Sequence, residues 1–188
     1  MTKLVVDLYD FDKTIYAGDS SIDFYLFAVK SDIRLLRFLP KQLFHFVLYA
    51  LRLEPKKIFK GNFFAFIKGI DDFDGMVASF WKVHRKKIYD WFPVNERPFV
   101  IVSASPSLIL DHIANELGAY KLIATNIDAK TGKLIGENCY GAEKVRMINT
   151  ALKDAIFRQA YSDSISDAPM LGLAEDGFLV KNNKFKKF

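Results

Sequence analysis

The feature that most restricts the fold is the alternation of buried strands and amphipathic helices after Pro98. RPFVIVSAS predicts a buried strand, and PSLILDHIANELG predicts a helix with proline at its start and Gly118 after its end. KLIATNIDAKTGKLIG predicts a strand and a hairpin, AEKVRMINTALK an amphipathic helix, AIFRQAYSDS a strand, SDAPMLGLA a short helix and DGFLVKN a last strand. Such alternation predicts a parallel sheet, because each helix carries the chain back across the sheet.

The first half of the chain has a different pattern. Residues 3–9 predict a buried strand, whereas residues 20–91 carry apolar side chains at helical spacing without strand alternation. In KKIFKGNFFAFIKGI the apolar residues predict a single helical stripe, formed by Ile58, Phe59, Phe63, Phe66, Ile67 and Ile70. The sequence therefore predicts an α/β fold. Residues 1–16 and 92–188 would form a Rossmann-like core with a parallel sheet, and residues 17–91 an inserted α-helical cap.

Composition and cysteine content favour a cytoplasmic protein. Half of the residues are hydrophobic (51%) and a quarter charged (26%), as is usual for soluble domains. The single cysteine, Cys139, excludes an internal disulfide framework and fits a reducing compartment. Acidic residues interrupt the N-terminal apolar stretch, so no secretory signal is predicted. The uncharged run QLFHFVLYAL is shorter than the about 20 residues that a membrane span needs.

The positive charge is concentrated in the predicted cap. Of the residues from Lys30 to Lys60, eight are Lys or Arg and two are acidic, in a chain whose net charge is +5. One hypothesis is that Phe64, one helical turn from Lys60 and Lys68, anchors the cap peripherally on the anionic inner face of a membrane. The opposite hypothesis is that the aromatic residues pack inside the cap. No nucleic-acid partner is expected.

Polar side chains stand at the ends of the predicted strands. They are Asp10 and Asp12 after the first strand, Ser103 and Ser105 after the second, and Asp163 and Asp167 after a later one, with Lys144 at the start of a helix. Ligands of open parallel sheets bind outside the carboxyl ends of the strands. Carboxylates, a hydroxyl and a cation together are what metal-assisted phosphoryl transfer requires. Asp10 and Asp12 are two residues apart, so in an extended chain both project to the same side.

Four motifs resemble those of the haloacid dehalogenase superfamily, in the family's order and across essentially the whole chain. DFDKT resembles the first motif, VSAS the second, GAEKVRMI the lysine motif and YSDSISDAPML the acidic fourth motif. The helical insert after the first motif resembles the cap of the phosphoserine-phosphatase-like branch, subfamily IB. Within that branch, VSASPSLIL and TGKLIGENCYGAEKV are most similar to phosphatases related to the type C phosphatidylglycerophosphatases.

The resemblance implies a role for each motif residue. Asp10 would be the nucleophile that becomes phosphorylated, and Asp12 the general acid and base. Ser103 and Lys144 would take part in catalysis by binding the phosphoryl oxygens. Further roles follow for a second set of residues: Thr14, Asp19 and Ala104 in substrate binding, and Asp10, Asp12 (through its carbonyl), Asp163 and Asp167 in holding Mg²⁺.

These roles together predict a Mg²⁺-dependent phosphomonoester phosphatase that forms a phospho-aspartyl intermediate. The predicted partner is a phosphorylated small molecule or lipid. Asp19 lies near the position at which phosphoserine phosphatases hold the substrate amine, so phosphoserine is a second possible substrate. The sequence is also compatible with a non-catalytic protein that binds phosphate or membranes, and with an enzyme that transfers the phosphoryl group to an acceptor other than water.

Overall fold

A seven-stranded, mostly parallel sheet forms the centre of the protein in the computed structural model, which describes residues 3–94, 96–181 and 183–188. The strands are β1 (Val5–Tyr9), β2 (Phe99–Pro106), β3 (Lys121–Ile127), β4 (Leu134–Ile135), β5 (Ile156–Ser162), β6 (Asp176–Lys181) and β7 (Lys184–Lys187). Their order across the sheet is β4-β3-β2-β1-β5-β6-β7. The five central strands pair in parallel, and β4 and β7 pair antiparallel at the edges. The predicted α/β fold is confirmed.

Seven α-helices accompany the sheet within the described residues. They are α1 (Ser20–Ser31), α2 (Leu39–Ala50), α3 (Lys56–Phe63), α4 (Phe73–His84), α5 (Ser107–Glu116), α6 (Ala142–Ala151) and α7 (Ala168–Leu171). Helices α5, α6 and α7 connect strands, whereas α1 to α4 all lie between β1 and β2. We use the word cap for residues 17–91, whose boundaries stay a prediction. Strand β7 was not predicted, because its four residues are mostly lysine and all exposed.

Alternation along the central strands places apolar side chains on both faces of the sheet. Val6 and Leu8 pack in one cluster with Ile148 of α6, whereas Tyr9 and Ile101 belong to a second cluster that extends into the cap. Successive strand residues point to opposite faces, so β1 contributes to both clusters. The sheet is therefore covered on both sides, as parallel sheets usually are.

Asp7 is an acidic residue within the otherwise apolar strand β1. It is fully buried, and its carboxylate lies 3.2 Å from Nε of Arg97 and accepts the backbone N–H of Gln159 at 3.1 Å. A buried carboxylate is tolerated when it is paired and hydrogen-bonded. Asp7 therefore has a structural role that joins β1 to its neighbours.

The predicted helical stripe over Ile58–Ile70 is wrong in part. Helix α3 ends at Phe63 and the chain continues as a 3-10 helix, Phe64–Gly69, while Ile58 is exposed. Residues 64 to 67 are consecutive and all buried, which one face of an α-helix does not allow. The β3–β4 hairpin turn covers this segment, and a Cβ added to Gly132 in that turn would lie 2.3 Å from the carbonyl oxygen of Phe64.

The hypothesis that Phe64 anchors the cap on a membrane is also wrong. Its side chain is 1% exposed and packs against Phe63 and Phe66. A residue that is covered by the hairpin turn cannot reach a bilayer. Among the helices of the described residues, none has the length and apolar character to cross a membrane.

Candidate active site

A cavity of about 590 Å³ lies between the carboxyl ends of the central strands and the cap. The core contributes most of its polar lining: Asp10, Asp12, Lys13, Ser105, Lys144, Asp163 and Asp167. The cap contributes a mainly apolar wall: Ile22, Tyr25, Leu39, Leu43, Phe46, Phe59, Phe63 and Phe64. The cavity thus combines a charged floor with an apolar wall.

Lys144 lies between two carboxylates at the floor of this cavity. Its Nζ donates to Oδ1 of Asp10 at 2.6 Å and to Oδ2 of Asp167 at 2.7 Å, and the residue is 1% exposed. Burial lowers the pKa of Lys144, but the two carboxylates outweigh burial and raise it. Burial raises the pKa of Asp10, and the Lys144 ammonium opposes that shift. Lys144 is therefore a permanent cation beside Asp10.

Thr14 fixes the orientation of Asp10. Its hydroxyl donates to Oδ2 of Asp10 at 2.9 Å and accepts the backbone N–H of Asp163 at 2.8 Å. Thr14 is fully buried and is not among the residues that line the cavity, and its contact with substrate stays a prediction. Both oxygens of Asp10 are held, one by a lysine and one by a hydroxyl.

Asp12 occupies a different environment a short distance away. Its Oδ1 accepts the backbone N–H of Ser20 at 2.7 Å, and its Oδ2 accepts the hydroxyl of Ser105. Burial, followed by repulsion from Asp19, raises the pKa of Asp12 to about 7. A carboxyl group with such a pKa can both donate and accept a proton near neutral pH.

Ser105 takes a position that the sequence did not assign to it. Its hydroxyl donates to Asp12 and contacts the hydroxyls of Ser20 at 3.1 Å and Ser21 at 2.8 Å. This network joins the end of β2 to the start of α1, and Ser21 and Ser105 both line the cavity. Ser103, by contrast, is fully buried, and its Oγ accepts the backbone N–H of Ser105 at 3.0 Å. Binding of phosphoryl oxygens by Ser103 stays a prediction.

Two residues predicted to bind substrate line the cavity. Asp19 is the N-cap of α1, where its carboxylate accepts the N–H of Ile22 at 3.1 Å. Ala104 lies at the end of β2, and its carbonyl accepts Nζ of Lys60 at 2.7 Å. A contact with substrate by either residue stays a prediction.

The two acidic residues after β5 differ in exposure. Asp163 lines the cavity and is exposed there, and partial burial of its carboxyl, followed by the negative charge of Asp10, raises its pKa to about 6. Asp167 is buried, and its Oδ2 also accepts the hydroxyl of Ser162 at 2.7 Å. Its Oδ1 is buried without a hydrogen-bond partner.

These carboxylates fit a divalent cation of the magnesium type. The described side chains hold no ready-made group of three or more His, Cys, Asp or Glu ligands. Mg²⁺, however, keeps several water ligands and is usually held by one or two carboxylates. The free oxygen of Asp167 and the raised pKa values of Asp10 and Asp163 indicate negative charge that a cation would stabilise.

Lys60 is a cavity residue that sequence analysis did not single out. Its Nζ donates to the Ala104 carbonyl and to Oδ1 of Asn138, each at 2.7 Å. Burial, and then repulsion from Lys56, lower its pKa to about 8. The concentration of lysines in the cap was the only signal in the sequence, and it did not distinguish Lys60 from its neighbours.

Comparison with known proteins agrees with this geometry. Residues 8–172 match the family model described as haloacid dehalogenase-like hydrolase. The probable phosphatase Rv3661 of Mycobacterium tuberculosis is 40% identical over 82 residues, which are 40% of this chain and 29% of that protein. Protein CicA of Caulobacter vibrioides is 39% identical over 92 residues, which are 45% of this chain and 41% of that protein. The matches therefore span less than half of the length of either curated relative.

Solved structures show the same fold at low sequence identity. A Bordetella pertussis protein of unknown function superposes with a TM-score of 0.76 at 19% identity, covering 94% of this chain and 89% of that chain. A probable phosphoserine phosphatase from Vibrio cholerae superposes with a TM-score of 0.65 at 14% identity, covering 93% of this chain and 55% of that chain. These similarities support the architecture alone.

Proposed function

The chain belongs to the haloacid dehalogenase-like hydrolases, and on that basis we propose that it is a Mg²⁺-dependent phosphomonoester phosphatase with Asp10 as nucleophile. One observation carries the proposal. Asp10 and Asp12 line the same cavity, and burial raises the pKa of both. At Asp10 the ammonium of the buried Lys144 opposes that shift, whereas the described hydrogen bonds of Asp12 include no cationic partner and its pKa rises to about 7. Two carboxyl groups with such different environments suit a nucleophile and an acid–base group.

In the first step, an oxygen of the Asp10 carboxylate attacks phosphorus and the bond from phosphorus to the ester oxygen breaks. Asp12 gives its proton to that oxygen, so the alcohol leaves and Asp12 becomes a carboxylate. Lys144, held at 2.6 Å from Asp10, supplies positive charge where phosphoryl oxygens gain negative charge.

In the second step, water replaces the nucleophile. Asp12 takes a proton from water, the water oxygen bonds to phosphorus, and the bond from phosphorus to Asp10 breaks. Inorganic phosphate leaves, and both aspartates return to their starting protonation states. The hydroxyl of Ser105 keeps the Asp12 carboxylate oriented toward the cavity in both steps.

The proposed magnesium site uses the carboxylates of Asp10 and Asp163 and the backbone carbonyl of Asp12, with Asp167 in support. When bound, the ion supplies charge neutralisation for the phosphoryl oxygens. The unpartnered Oδ1 of Asp167 supports this assignment.

The cap wall supports a phosphate ester with an apolar group as the substrate, either a small molecule or a lipid-linked phosphate. Leu43, Phe46 and Phe59 offer apolar surface to the carbon chain or ring of the alcohol that the phosphate esterifies. Phosphoserine is the second candidate, which Asp19 in the cavity favours. Its carboxylate would need a cationic partner, and Lys56 and Lys60 are the cap cations that line the described cavity.

Phosphate release in the presence and absence of Mg²⁺ tests the proposal. The panel comprises an aryl phosphate, phosphoserine, a sugar phosphate and phosphatidylglycerophosphate. We expect Mg²⁺-dependent release that Asp10→Asn abolishes and Asp154→Asn, at an exposed carboxylate, does not. Incubation with the best substrate should leave a phosphoryl group on the peptide that contains Asp10. Release that persists in Asp10→Asn, or none from any ester with the fold intact, would overturn the proposal.

A further inference from the structure

Helix α2 has its polarity reversed relative to an ordinary surface helix. The side of the helix that faces the protein carries polar residues. Gln42 is buried, accepts the hydroxyl of Tyr25 at 2.9 Å and donates to the Phe63 carbonyl at 2.8 Å. His45 lies 2.6 Å from the largely buried carboxylate of Glu54. The polar groups that would normally face water are therefore used inside the cap.

The solvent-facing side of α2 is apolar. Leu43, Phe46, Val47 and Ala50 recur at positions i, i+3, i+4 and i+7, which lie on one side of a helix, and all four are exposed. The exposed apolar residues Phe44, Leu51 and Leu53 extend this surface, which we call the α2 face. A contiguous exposed apolar surface of this kind marks an interaction site.

Positive charge flanks the α2 face along the chain. Arg37 lies just before α2, Lys41 in its first turn and Arg52 just after its end, and all three are exposed. The two acidic residues between Lys30 and Lys60 are already paired, Asp32 with Arg34 at 2.8 Å and Glu54 with His45. The net charge presented with the apolar residues is therefore positive.

Apolar surface bordered by cations complements an anionic bilayer, in which acyl chains lie beneath negative headgroups. A second copy of the chain is a poorer match. A two-fold interface brings the same patch of both subunits together, so the positive residues of one copy would meet a surface of the same positive charge. Like charges brought together disfavour such an interface.

We propose that the α2 face docks the protein peripherally on an anionic lipid bilayer. Leu43 and Phe46 belong both to this face and to the wall of the cavity, so a docked protein holds the cavity entrance against the lipid surface. The proposal needs no chemistry at Asp10 and stands apart from the phosphatase function.

Co-sedimentation of the full chain with vesicles tests the proposal. One set of vesicles contains phosphatidylcholine alone, and the other contains phosphatidylcholine and phosphatidylglycerol. We expect binding to the anionic vesicles, weaker binding to the neutral ones, and a loss of binding at high salt. Asp10→Asn should bind the anionic vesicles as the wild type does. Vesicle binding and phosphate release therefore test the docking proposal and the catalytic proposal separately.

Substitution of apolar residues on the α2 face gives the first matched comparison. Val47→Gln/Leu51→Gln changes residues that are 52% and 63% exposed, and Val83→Gln/Tyr120→Gln changes residues that are 50% and 55% exposed elsewhere in the structure, in α4 and before β3. We expect the first pair to weaken anionic-vesicle binding by roughly ten-fold per residue, and the control pair to leave it unchanged. Thermal unfolding midpoints confirm that both variants fold.

Substitution of cations gives the second comparison. Lys41→Gln/Arg52→Asn removes two charges from the border of the face, and asparagine tolerates the positive φ of 60° at position 52. We expect a loss of about five-fold per cation removed, against no change for Lys121→Gln/Lys153→Gln. Absence of vesicle binding, equal losses in test and control variants, or a wild-type dimer that Val47→Gln/Leu51→Gln converts to a monomer would each overturn the proposal.

Discussion

Replacement of Lys144 with methionine tests how strongly the floor of the site depends on one buried cation. Lys144 is 1% exposed, and its Nζ lies 2.6 Å from Asp10 and 2.7 Å from Asp167. Methionine fills most of the same space without the charge. The two carboxylate oxygens that contact Nζ are at most about 5 Å apart, so without the ammonium they repel by about 3 kcal/mol or more at an effective dielectric constant of ~20. Breaking a buried ion pair on one side costs about 3–5 kcal/mol. We expect the free energy of unfolding at pH 7 to fall by about that amount.

Urea denaturation in metal-free buffer at pH 7 and at pH 5 measures this effect. Burial already raises the pKa of Asp10, and loss of the ammonium removes the opposing influence. A carboxyl whose pKa is higher in the folded than in the unfolded state stabilises the fold at low pH and loses that contribution as pH rises through the folded value. The deficit of Lys144→Met should therefore be smaller at pH 5 than at pH 7.

Two further variants control this experiment. Lys153→Met removes an exposed lysine and should change stability little. Adding Asp167→Asn to Lys144→Met removes one of the two facing carboxylates and should recover part of the loss. A deficit below about 1 kcal/mol, of the size seen for surface pairs, or one that is equal at both pH values, would refute the reasoning.

The site and the cap can be tested in three further ways. Asp12→Asn should slow hydrolysis of an alkyl phosphate by about 10²–10⁴-fold, but phosphorylation of Asp10 by an aryl phosphate should stay visible by mass spectrometry, because a phenolate leaves without a proton. Equal losses with the alkyl and the aryl phosphate would contradict this role. Gly132→Ala should lower the free energy of unfolding in urea by about 2–4 kcal/mol, and Gly136→Ala by about 1–2 kcal/mol, because φ is similar at both positions but a Cβ at position 136 meets open space. Equal losses of stability would be contrary evidence. Burial lowers the pKa of Lys60 to about 8 in the folded state, so folding favours the neutral amine and stability rises with pH. From pH 7 to 10 the free energy of unfolding of the wild type should gain up to about 2 kcal/mol over that of Lys60→Met; a difference that does not change with pH would exclude this effect.

The sequence was sufficient for six of the seven strands and for the edge of the sheet at which the carboxylates lie. Strand residues alternate with helices after Pro98, and parallel strands bring their carboxyl ends to one edge, so Asp10 and Asp163 were expected at the same edge. That β1 and β5 are neighbours there is a finding of the structure. Contacts between distant elements were not predictable in the same way. The hydrogen bonds of Ser105 with Ser20 and Ser21 depend on how the start of α1 meets the end of β2, which the sequence pattern does not state.

The errors in the cap have one physical origin. Helical spacing says which residues share a side of a helix, but not what lies on either side of it. The hypothesis that Phe64 is a surface anchor rested on the lysines that flank it in sequence, whereas the β3–β4 hairpin turn covers it from a part of the chain that is remote in sequence. The opposite hypothesis, that the aromatic residues pack inside the cap, holds for Phe64. Helix α2 shows the converse, since its apolar side chains face outward and its Gln42 faces inward.

The cap enters and leaves the core at one narrow place. Tyr16 pairs with Ile88 in an isolated bridge, the N–H of Ala17 donates to the carbonyl of Lys87 at 2.8 Å, and the N–H of Tyr89 donates to that of Ile15 at 3.0 Å. An insert whose two ends meet can change length at little entropic cost, because loop closure depends only weakly on loop length. Substrate selection can therefore diverge by replacement of this one inserted segment, while the buried Lys144 and its carboxylates are inherited unchanged.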